Sequence, residues 1–397
     1  MKAVVLVAGK GTRMEPLTSN CPKVMLQVAN KPILEHILNS AIEAGIDGFV
    51  FITGYLEEQI REYFGDGSRW GVNIEYVQQK EQLGTANAIG CAKGHVDGAF
   101  LVLNGDMLIG QEDLKTLLSR TEEAVICVKE VENPSDFGVL ETENNRVVRI
   151  IEKPKNPPTN LANAGIYLFR ESIFDFIDKT EASVRNEFEV TDSIQMLIDS
   201  GTAVGYSSLD GRWIDIGYPW DLLRANEYLL KSLKRNCEGT VEPNATIKGE
   251  VLIGKGTLIR NGSYIEGPVI IGENCDIGPN CFIRPSTAIG NHVRIGNAVE
   301  IKNAIIMENT HVGHLSYAGD SIIGRGCNFG AGTKVANLRH DGKNIKVMMK
   351  GRILDSGRRK LGVIMGDDVH TSINTSINIG VIMEKGRFTY PGEIVKH

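Results

Sequence analysis

The chain has 397 residues, 42% of them hydrophobic and 23% charged, which fits two or three packed domains and excludes wholesale disorder. Forty-three basic against forty-nine acidic residues leave a net charge of −6, which excludes a strongly basic nucleic-acid binder but not a local cationic cluster for a phosphate-bearing ligand. Seven scattered cysteines form no CxxC pair and no apolar run reaches the ~18 residues of a membrane span, so a soluble, cytoplasmic protein without disulfides or structural zinc is expected, in contact with neither nucleic acid nor membrane.

In chain order, residues 4–8 read as a buried strand, followed by Gly9-Lys10-Gly11-Thr12-Arg13-Met14. Met14 stands where a dinucleotide fingerprint needs its third glycine, and Lys10 lies between the glycines rather than before Thr12 as in a P-loop. Two glycines after a strand still expose backbone N–H groups that can hold phosphate oxygens, and Arg13 adds a charge-assisted donor. The alternative is an ordinary strand-to-helix turn. Residues 32–44 form an amphipathic helix, and residues 49–52, 74–77, 100–103 and 124–128 are further strands with helical patterns between them. That order predicts an α/β domain with a Rossmann-like, mostly parallel sheet and ligands beyond the carboxyl ends of its strands. Asp106 follows the strand 100–103, and Asp215 lies in the apolar run Trp213-Ile214-Asp215-Ile216. Two such aspartates suit one Mg2+ against phosphate oxygens; each alone reads equally as a helix cap or salt bridge. Residues 219–235 read as a linker helix, giving an expected first domain over 1–230 and a second over 238–397.

The second part has a different composition. Up to residue 237 lie nineteen of the twenty-five aromatics; beyond it are six, with twenty-four of the forty-four glycines. The cause is a repeat: isoleucine recurs every six residues from Ile247 to Ile301, ten positions without a miss. A period of six fits neither a helix nor a heptad but does fit a parallel β-helix, in which residues eighteen apart stack about 4.8 Å above one another. The phase slips between Ile301 and Ile323, which predicts a loop over 308–320 carrying His311, His314 and Tyr317, with His311 at an inward position. A second interruption is expected at 337–362. It carries Asn337 and Lys343, and its basic stretch 351–361 suits either coenzyme A phosphates or solvent.

The run Leu6-Val7-Ala8-Gly9-Lys10-Gly11-Thr12-Arg13-Met14 with Pro22-Lys23 resembles the signature of sugar-phosphate nucleotidylyltransferases. Glu81-Gln82-Leu83-Gly84-Thr85-Ala86 is similar to their base-binding segment, and Asn104-Gly105-Asp106, Glu152-Lys153-Pro154, Asn163-Ala164-Gly165 and Asp215 follow in the family's order. With the hexapeptide repeat behind them, nearly the whole chain resembles the bifunctional N-acetylglucosamine-1-phosphate uridylyltransferases / glucosamine-1-phosphate acetyltransferases of the archaeal type. That resemblance implies a left-handed β-helix and a homotrimer. It implies a nucleotide site of Leu6, Ala8, Gly9, Gly11, Thr12, Arg13, Lys23, Gln79, Gly84, Thr85 and Asp106, with Arg13 and Lys23 catalytic, for UTP or dTTP. Gly138, Glu152 and Asn163 are then expected to hold the sugar-1-phosphate, and Asp106 and Asp215 to ligate Mg2+.

Gly313-His314-Leu315-Ser316-Tyr317 resembles the acetyltransferase centre of the same family. An amino-sugar phosphate is an ammonium at neutral pH, and its nitrogen attacks a thioester only after losing a proton; a histidine suits that step. The resemblance implies His314 as base, Arg284, Lys302, Tyr317, Asn328, Asn337 and Lys343 around the substrate, and Ala331 against acetyl-CoA. Two other readings compete: a glucose-1-phosphate thymidylyltransferase whose repeat is only a trimerisation scaffold, and a non-catalytic subunit. Arg13, Lys23, Asp106 and Asp215 argue against the latter.

Overall fold

The computed structural model describes residues 1–211 and 213–396 and divides into two compact units. The first comprises Met1–Lys10, Pro22–Met25 and Ile33–Asp215. Its strands are β1 (Lys2–Leu6), β2 (Gly48–Thr53), β3 (Asn73–Gln78), β4 (Ala99–Asn104), β5 (Met107–Ile109), β6 (Ala124–Glu130), β7 (Val139–Glu143), β8 (Arg146–Ile151), β9 (Leu161–Arg170), β10 (Val204–Ser208) and β11 (Trp213–Asp215). Nine of them form one sheet, in the order β8-β7-β9-β4-β1-β2-β3, with β6 pairing β9 and β10.

The pairings of β1 with β2 and β4, and of β2 with β3, are parallel, while β9 runs antiparallel to β4, β6 and β7. The parallel strands are continuous apolar runs because both faces are covered: all six residues of β2 are buried. Helix α1 (Ile33–Glu43) buries Ile33, Leu34, Ile37, Leu38 and Ala41, one stripe at helical spacing. The Rossmann-like sheet is therefore parallel at its centre and mixed towards one side.

The second unit comprises Gly11–Cys21, Leu26–Pro32 and Ile216–His397. It holds helix Pro219–Leu230 and three stacked sheets of parallel strands, eight, seven and eight in number, the architecture of a left-handed parallel β-helix. Equivalent rungs are eighteen residues apart at first, as in Ile259↔Ile277 and Ile277↔Ile295. The inward isoleucines are dry: Ile259, Ile265, Ile271, Ile277, Ile283 and Ile289 are each 0% exposed.

The phase slip has a different cause from the one expected. There is no loop at 308–320. From Ile289 the rungs shorten to seventeen residues, as in Ile289↔Ile306, Ile295↔Val312 and Ile301↔Ala318, because one residue is missing from the corner after Ile301 and another from the corner after Ala318. Ile306, Val312, Ala318, Ile323 and Phe329 continue the dry column. His311 is therefore not inward; it is exposed, and Val312 takes the core position. The interruption at 337–362 is present. Phe329 stacks on Thr371, forty-two residues on, and the intervening chain makes an antiparallel hairpin of Lys346–Met349 with Arg352–Asp355. Lys350 (φ 48) and Gly351 (φ 74) supply the two left-handed residues of its turn. The Leu338↔Lys360 bridge closes the base of this excursion. Among the described residues, no helix is long and apolar enough to cross a membrane.

Candidate active sites

In the first unit, the carboxyl ends of β1, β3 and β4 bring together residues distant in sequence. Leu6 ends β1, and the Ala8 carbonyl accepts hydrogen bonds from Gln82 Nε2 (2.5 Å) and the Tyr55 amide (3.2 Å). Gly9 is exposed, and open space surrounds the position a Cβ would take there. Gly105 has no such freedom: its Cβ would lie 2.7 Å from the Leu6 carbonyl oxygen and from Val7. Only glycine lets the chain leave β4 flush against β1, and this places Asp106 beside Lys23, whose Nζ lies 2.6 Å from Asp106 Oδ2. Lys23 is itself buried, at 8% exposure. The ribbon of β5 with β11 pairs Asp215 with Met107, so the backbones at Asp106 and Asp215 adjoin although 109 residues separate them. Lys23, Asp106 and Asp215 thus gather charged groups at the carboxyl end of β4.

The second cluster lies around helix α2 (Thr85–Gly90). Gln79, immediately after β3, is 6% exposed and donates to Asn87 Oδ1 (2.8 Å) and the Gly84 carbonyl (3.3 Å). Gly84 (φ 118) presses so closely on Phe188 that an added Cβ would lie 2.5 Å from its carbonyl oxygen. The Thr85 hydroxyl accepts the Val190 amide at 3.0 Å, so it fixes the segment as well as offering a proton.

Gly138, Glu152 and Asn163 meet in a third cluster: a Cβ on Gly138 would lie 3.0 Å from Glu152 Oε2 and 3.5 Å from Asn163 Cβ. Asn163 is oriented by donating to Tyr167 Oη (2.7 Å) and accepting the Gly165 amide (3.0 Å). Sequence reasoning missed Arg185, whose guanidinium lies 3.1 Å from Glu152 and 3.2 Å from Glu189. Burial, and then the charge of Glu152, push the Glu189 carboxyl above its ordinary range. No motif pointed to Arg185: Glu189 is only four residues on, and the contact that brings it to this cluster, with Glu152, spans thirty-three residues.

The remaining residues of the glycine-rich loop belong to the second unit. Gly11 (φ 63) opens a short 3-10 helix, Thr12–Met14, and its carbonyl accepts the Met14 amide (2.8 Å) and Thr18 Oγ1 (3.0 Å). The Arg13 guanidinium lies over the Tyr218 ring at 5.7 Å, and Tyr218 stacks on Trp220 at 4.8 Å.

The β-helix carries a second constellation on one face. Arg284 and Lys302 occupy one outward column, Arg284 paired with Glu300 (2.8 Å) and Lys302 with Asp320 (3.4 Å). Gly319 is next in that column. Its lack of a side chain makes room for Tyr317 Oη and Asn337 Nδ2, which a Cβ there would overlap. Asn337 Nδ2 donates to Tyr317 Oη (3.0 Å) and Asp320 Oδ2 (2.6 Å), and burial pushes the Tyr317 phenol up. Asp320, only 2% exposed, also accepts Asn303 Nδ2 at 2.8 Å. Asn303 (φ 45), Leu315 (φ 50) and Asp320 (φ 52) all hold left-handed backbone at the corners of this face. Gly319, Asp320 and Asn303 were not singled out from sequence, since the hexad marks only inward positions.

His314 ends the strand His311–His314, its ring exposed, one corner before Tyr317; its carbonyl accepts Ser316 Oγ at 2.7 Å. Asn328 stacks between His311 and His370 on the neighbouring sheet, and the Ala331 carbonyl accepts the Asn374 amide at 2.8 Å. Lys343 lies exposed on the excursion, its amide bonded to Asp341 Oδ1 (3.2 Å), and takes no part in the Tyr317–Asn337–Asp320 contacts.

Comparison with known proteins gives two family matches, Nucleotidyl transferase over residues 2–232 and GMPPB C-terminal domain over residues 265–388. A bifunctional protein GlmU from Methanocaldococcus jannaschii is 46% identical over 383 residues, 96% of this chain and 91% of its own length. A bifunctional sugar-1-phosphate nucleotidylyltransferase/acetyltransferase from Sulfurisphaera tokodaii is 41% identical over 400 residues, 100% and 97% of the two chains. Among solved structures, a Bacillus anthracis protein assigned as a glucose-1-phosphate thymidylyltransferase superposes with a TM-score of 0.54 at 29% identity, covering 59% of this chain and 97% of its own.

Proposed function

Because the chain belongs to the nucleotidyl transferase family, in its bifunctional nucleotidylyltransferase/acetyltransferase form, we propose that it makes UDP-N-acetylglucosamine in the cytoplasm: acetyl-CoA acetylates glucosamine-1-phosphate, and the product then takes a uridylyl group from UTP. The observation that carries this reading is the presence in one chain of two separate polar constellations, Lys23–Asp106 with Asp215, and Tyr317–Asn337–Asp320 with Lys302.

In the nucleotidyl step, the phosphate oxygen of the sugar-1-phosphate attacks the α-phosphorus of UTP, that phosphorus breaks its bond to the bridging oxygen, and pyrophosphate leaves. The nucleophile is already an anion, so positioning and charge neutralisation supply the rate. Gly9 and, further along the loop, Gly11, Thr12 and Arg13 hold the polyphosphate, while Lys23 faces the charge that develops on it. Leu6, Ala8, Gln79, Gly84 and Thr85 take the pyrimidine nucleoside, and Gly138, Glu152 and Asn163 take the sugar. Asp106 and Asp215 are hard oxygen donors on backbone that the β5–β11 ribbon brings together, a donor set that fits Mg2+, which when bound would screen the negative charge of the phosphates.

In the acetyl step, His314 removes a proton from the ammonium of glucosamine-1-phosphate. The free amine attacks the thioester carbonyl and the coenzyme A thiolate leaves with a proton. In this reading Arg284, Lys302, Tyr317, Asn328, Asn337 and Lys343 bind the sugar phosphate, and Ala331 lies against acetyl-CoA. The β-helices associate as a homotrimer. A second reading, dTTP-dependent transfer to glucose-1-phosphate with the β-helix as a scaffold, is favoured by the likeness of the first unit to the Bacillus anthracis structure.

Thiol release from acetyl-CoA decides between them. Release that requires glucosamine-1-phosphate and is lost in His314→Ala establishes the acetyl step. No release with glucosamine- or galactosamine-1-phosphate, alongside pyrophosphate formation from UTP or dTTP, establishes the scaffold reading.

A further inference from the structure

We propose that Asn226 is a positioning residue for nucleotidyl transfer: from the β-helix unit it fastens the segment that carries Arg13 and Lys23. This rests on the nucleotidyl-transfer reading above and gives the second unit a part in the first reaction.

The segment has little structure of its own. Between β1 and α1 it makes two single-turn 3-10 helices, Thr12–Met14 and Lys23–Met25, and a two-residue ladder in which Gln27 pairs with Pro32 and Val28 with Lys31. Chain with so few internal bonds takes its geometry from what it rests on. Gly11–Cys21 and Leu26–Pro32, on either side of Lys23 in sequence, group with the β-helix.

The fastening is buried and specific. Asn226, on helix Pro219–Leu230, is 0% exposed. Its Oδ1 accepts the Ala29 amide (2.9 Å) and its Nδ2 donates to the Ser286 carbonyl (2.9 Å), so one side chain joins the linker helix, the turn of the ladder and a β-helix corner. Beside it, Asn30 Nδ2 donates to the Ile289 carbonyl at 2.6 Å. Ala29 (φ 48) and Asn30 (φ 59) both hold left-handed backbone, a conformation that alanine keeps only where its surroundings impose it. Loss of the Asn226 amide would strand a buried N–H and a buried C=O away from water, so the clamp fixes the separation of the elements it joins.

The sheet beneath is covered. Ile289, Ile306 and Ile323 point into the β-helix, so the residues before them, Ala288, Ile305 and Ile322, point out, with Ile364 next in the same column; all four are nevertheless buried. Helix Pro219–Leu230 lies against Gln27–Val28 and against two of these strands, Thr287–Ile289 and Ile322–Ile323. At the corners that follow, Glu308 accepts Gln27 Nε2 (3.4 Å) and Arg325 Nε (2.7 Å), and a Cβ on Gly366 would lie 3.0 Å from Pro16. The segment is thus held at Pro16, Gln27, Ala29 and Asn30; Arg13 lies three residues before the first of these and Lys23 four before the second.

The test uses the full-length protein and reads pyrophosphate release and thiol release from the same preparation. Asn226→Leu keeps the volume and removes both bonds. Misplacement of charged groups by about 1 Å costs about a hundredfold, so kcat for pyrophosphate release should fall about ten- to a hundredfold, with thiol release unchanged. Asn30→Gly keeps the left-handed turn, removes the Ile289 bond and should lower the same kcat about three- to tenfold; it decides the matter should Asn226→Leu fail to fold. If Asn226 acts through Arg13 and Lys23, its substitution should cost much less in an Arg13→Ala or Lys23→Ala background than in the wild type, a dependence that loss of folded protein does not produce. Unchanged pyrophosphate release in both variants, a penalty that adds in full in those backgrounds, or an equal fall in thiol release would each overturn the proposal while leaving nucleotidyl transfer intact. A wild-type protein that forms no pyrophosphate from UTP or dTTP would remove the nucleotidyl-transfer reading and this inference with it.

Discussion

Lys23 and Asp106 lie eighty-three residues apart in sequence and 2.6 Å apart in space, an approach that depends on the absent side chain of Gly105. If this pair and Asp215 serve only the nucleotidyl step, Asp106→Ala and Asp215→Ala should abolish pyrophosphate release and leave acetyl transfer untouched, with His314→Ala giving the converse. Loss of both activities from either substitution in a folded protein would refute a two-site enzyme. Gly84→Ala meets the Phe188 backbone at 2.5 Å and imposes a Cβ at φ 118, so it should cost about 1–3 kcal/mol in urea unfolding and raise the nucleotide KM. Away from both sites, the Arg120 guanidinium beside Glu122 holds that carboxyl at about 2, below its ordinary 4.5. Because the folded value is the depressed one, the stabilisation is complete above pH 4.5 and is lost as pH falls towards 2. Glu122→Gln should flatten unfolding free energy against pH across that window. These residues differ in legibility: Arg13, Lys23, Asp106 and Asp215 stand in recognisable strings, whereas Arg185, Gly319 and Asp320 acquire meaning only from partners in other elements.

The β-helix shows how far a local period reaches. The hexad from Ile247 to Ile301 specifies the dry column, because each isoleucine faces inward by its place in its own six-residue unit. Ile277→Ala should open a cavity that stacked rungs cannot close, at about 2–5 kcal/mol in denaturant unfolding. Where two corners lose a residue, counting by six misplaces His311 and suggests a loop that is absent. The column itself is uninterrupted; Val312 and Ala318 take the inward places with smaller side chains than the isoleucine rule led one to look for. Gly319→Ala tests what that face is for: its Cβ would displace Tyr317 and Asn337, and acetyl transfer should fall at least tenfold while nucleotidyl transfer persists.

At the scale of the whole molecule, three stacked parallel sheets offer broad outer faces for self-association, and the proposed homotrimer makes a direct prediction. Sedimentation at concentrations that support acetyl transfer should give a three-chain particle; a monomer with full acetyltransferase activity would contradict the homotrimer. What the sequence by itself determined is the division into an α/β unit and a hexad-repeat unit, together with the short strings Gly9–Met14, Asn104–Asp106 and His314–Tyr317 from which the site proposals start. All of these are written in short-range order, in periods of six or fewer and in motifs of a few residues. Only the tertiary structure decided that the phase slip is two shortened corners and that Gly319 is bare so that Tyr317 and Asn337 fit. Those outcomes depend on pairings across 17 and 20 residues of chain, which stacking and chain closure fix and no local pattern encodes.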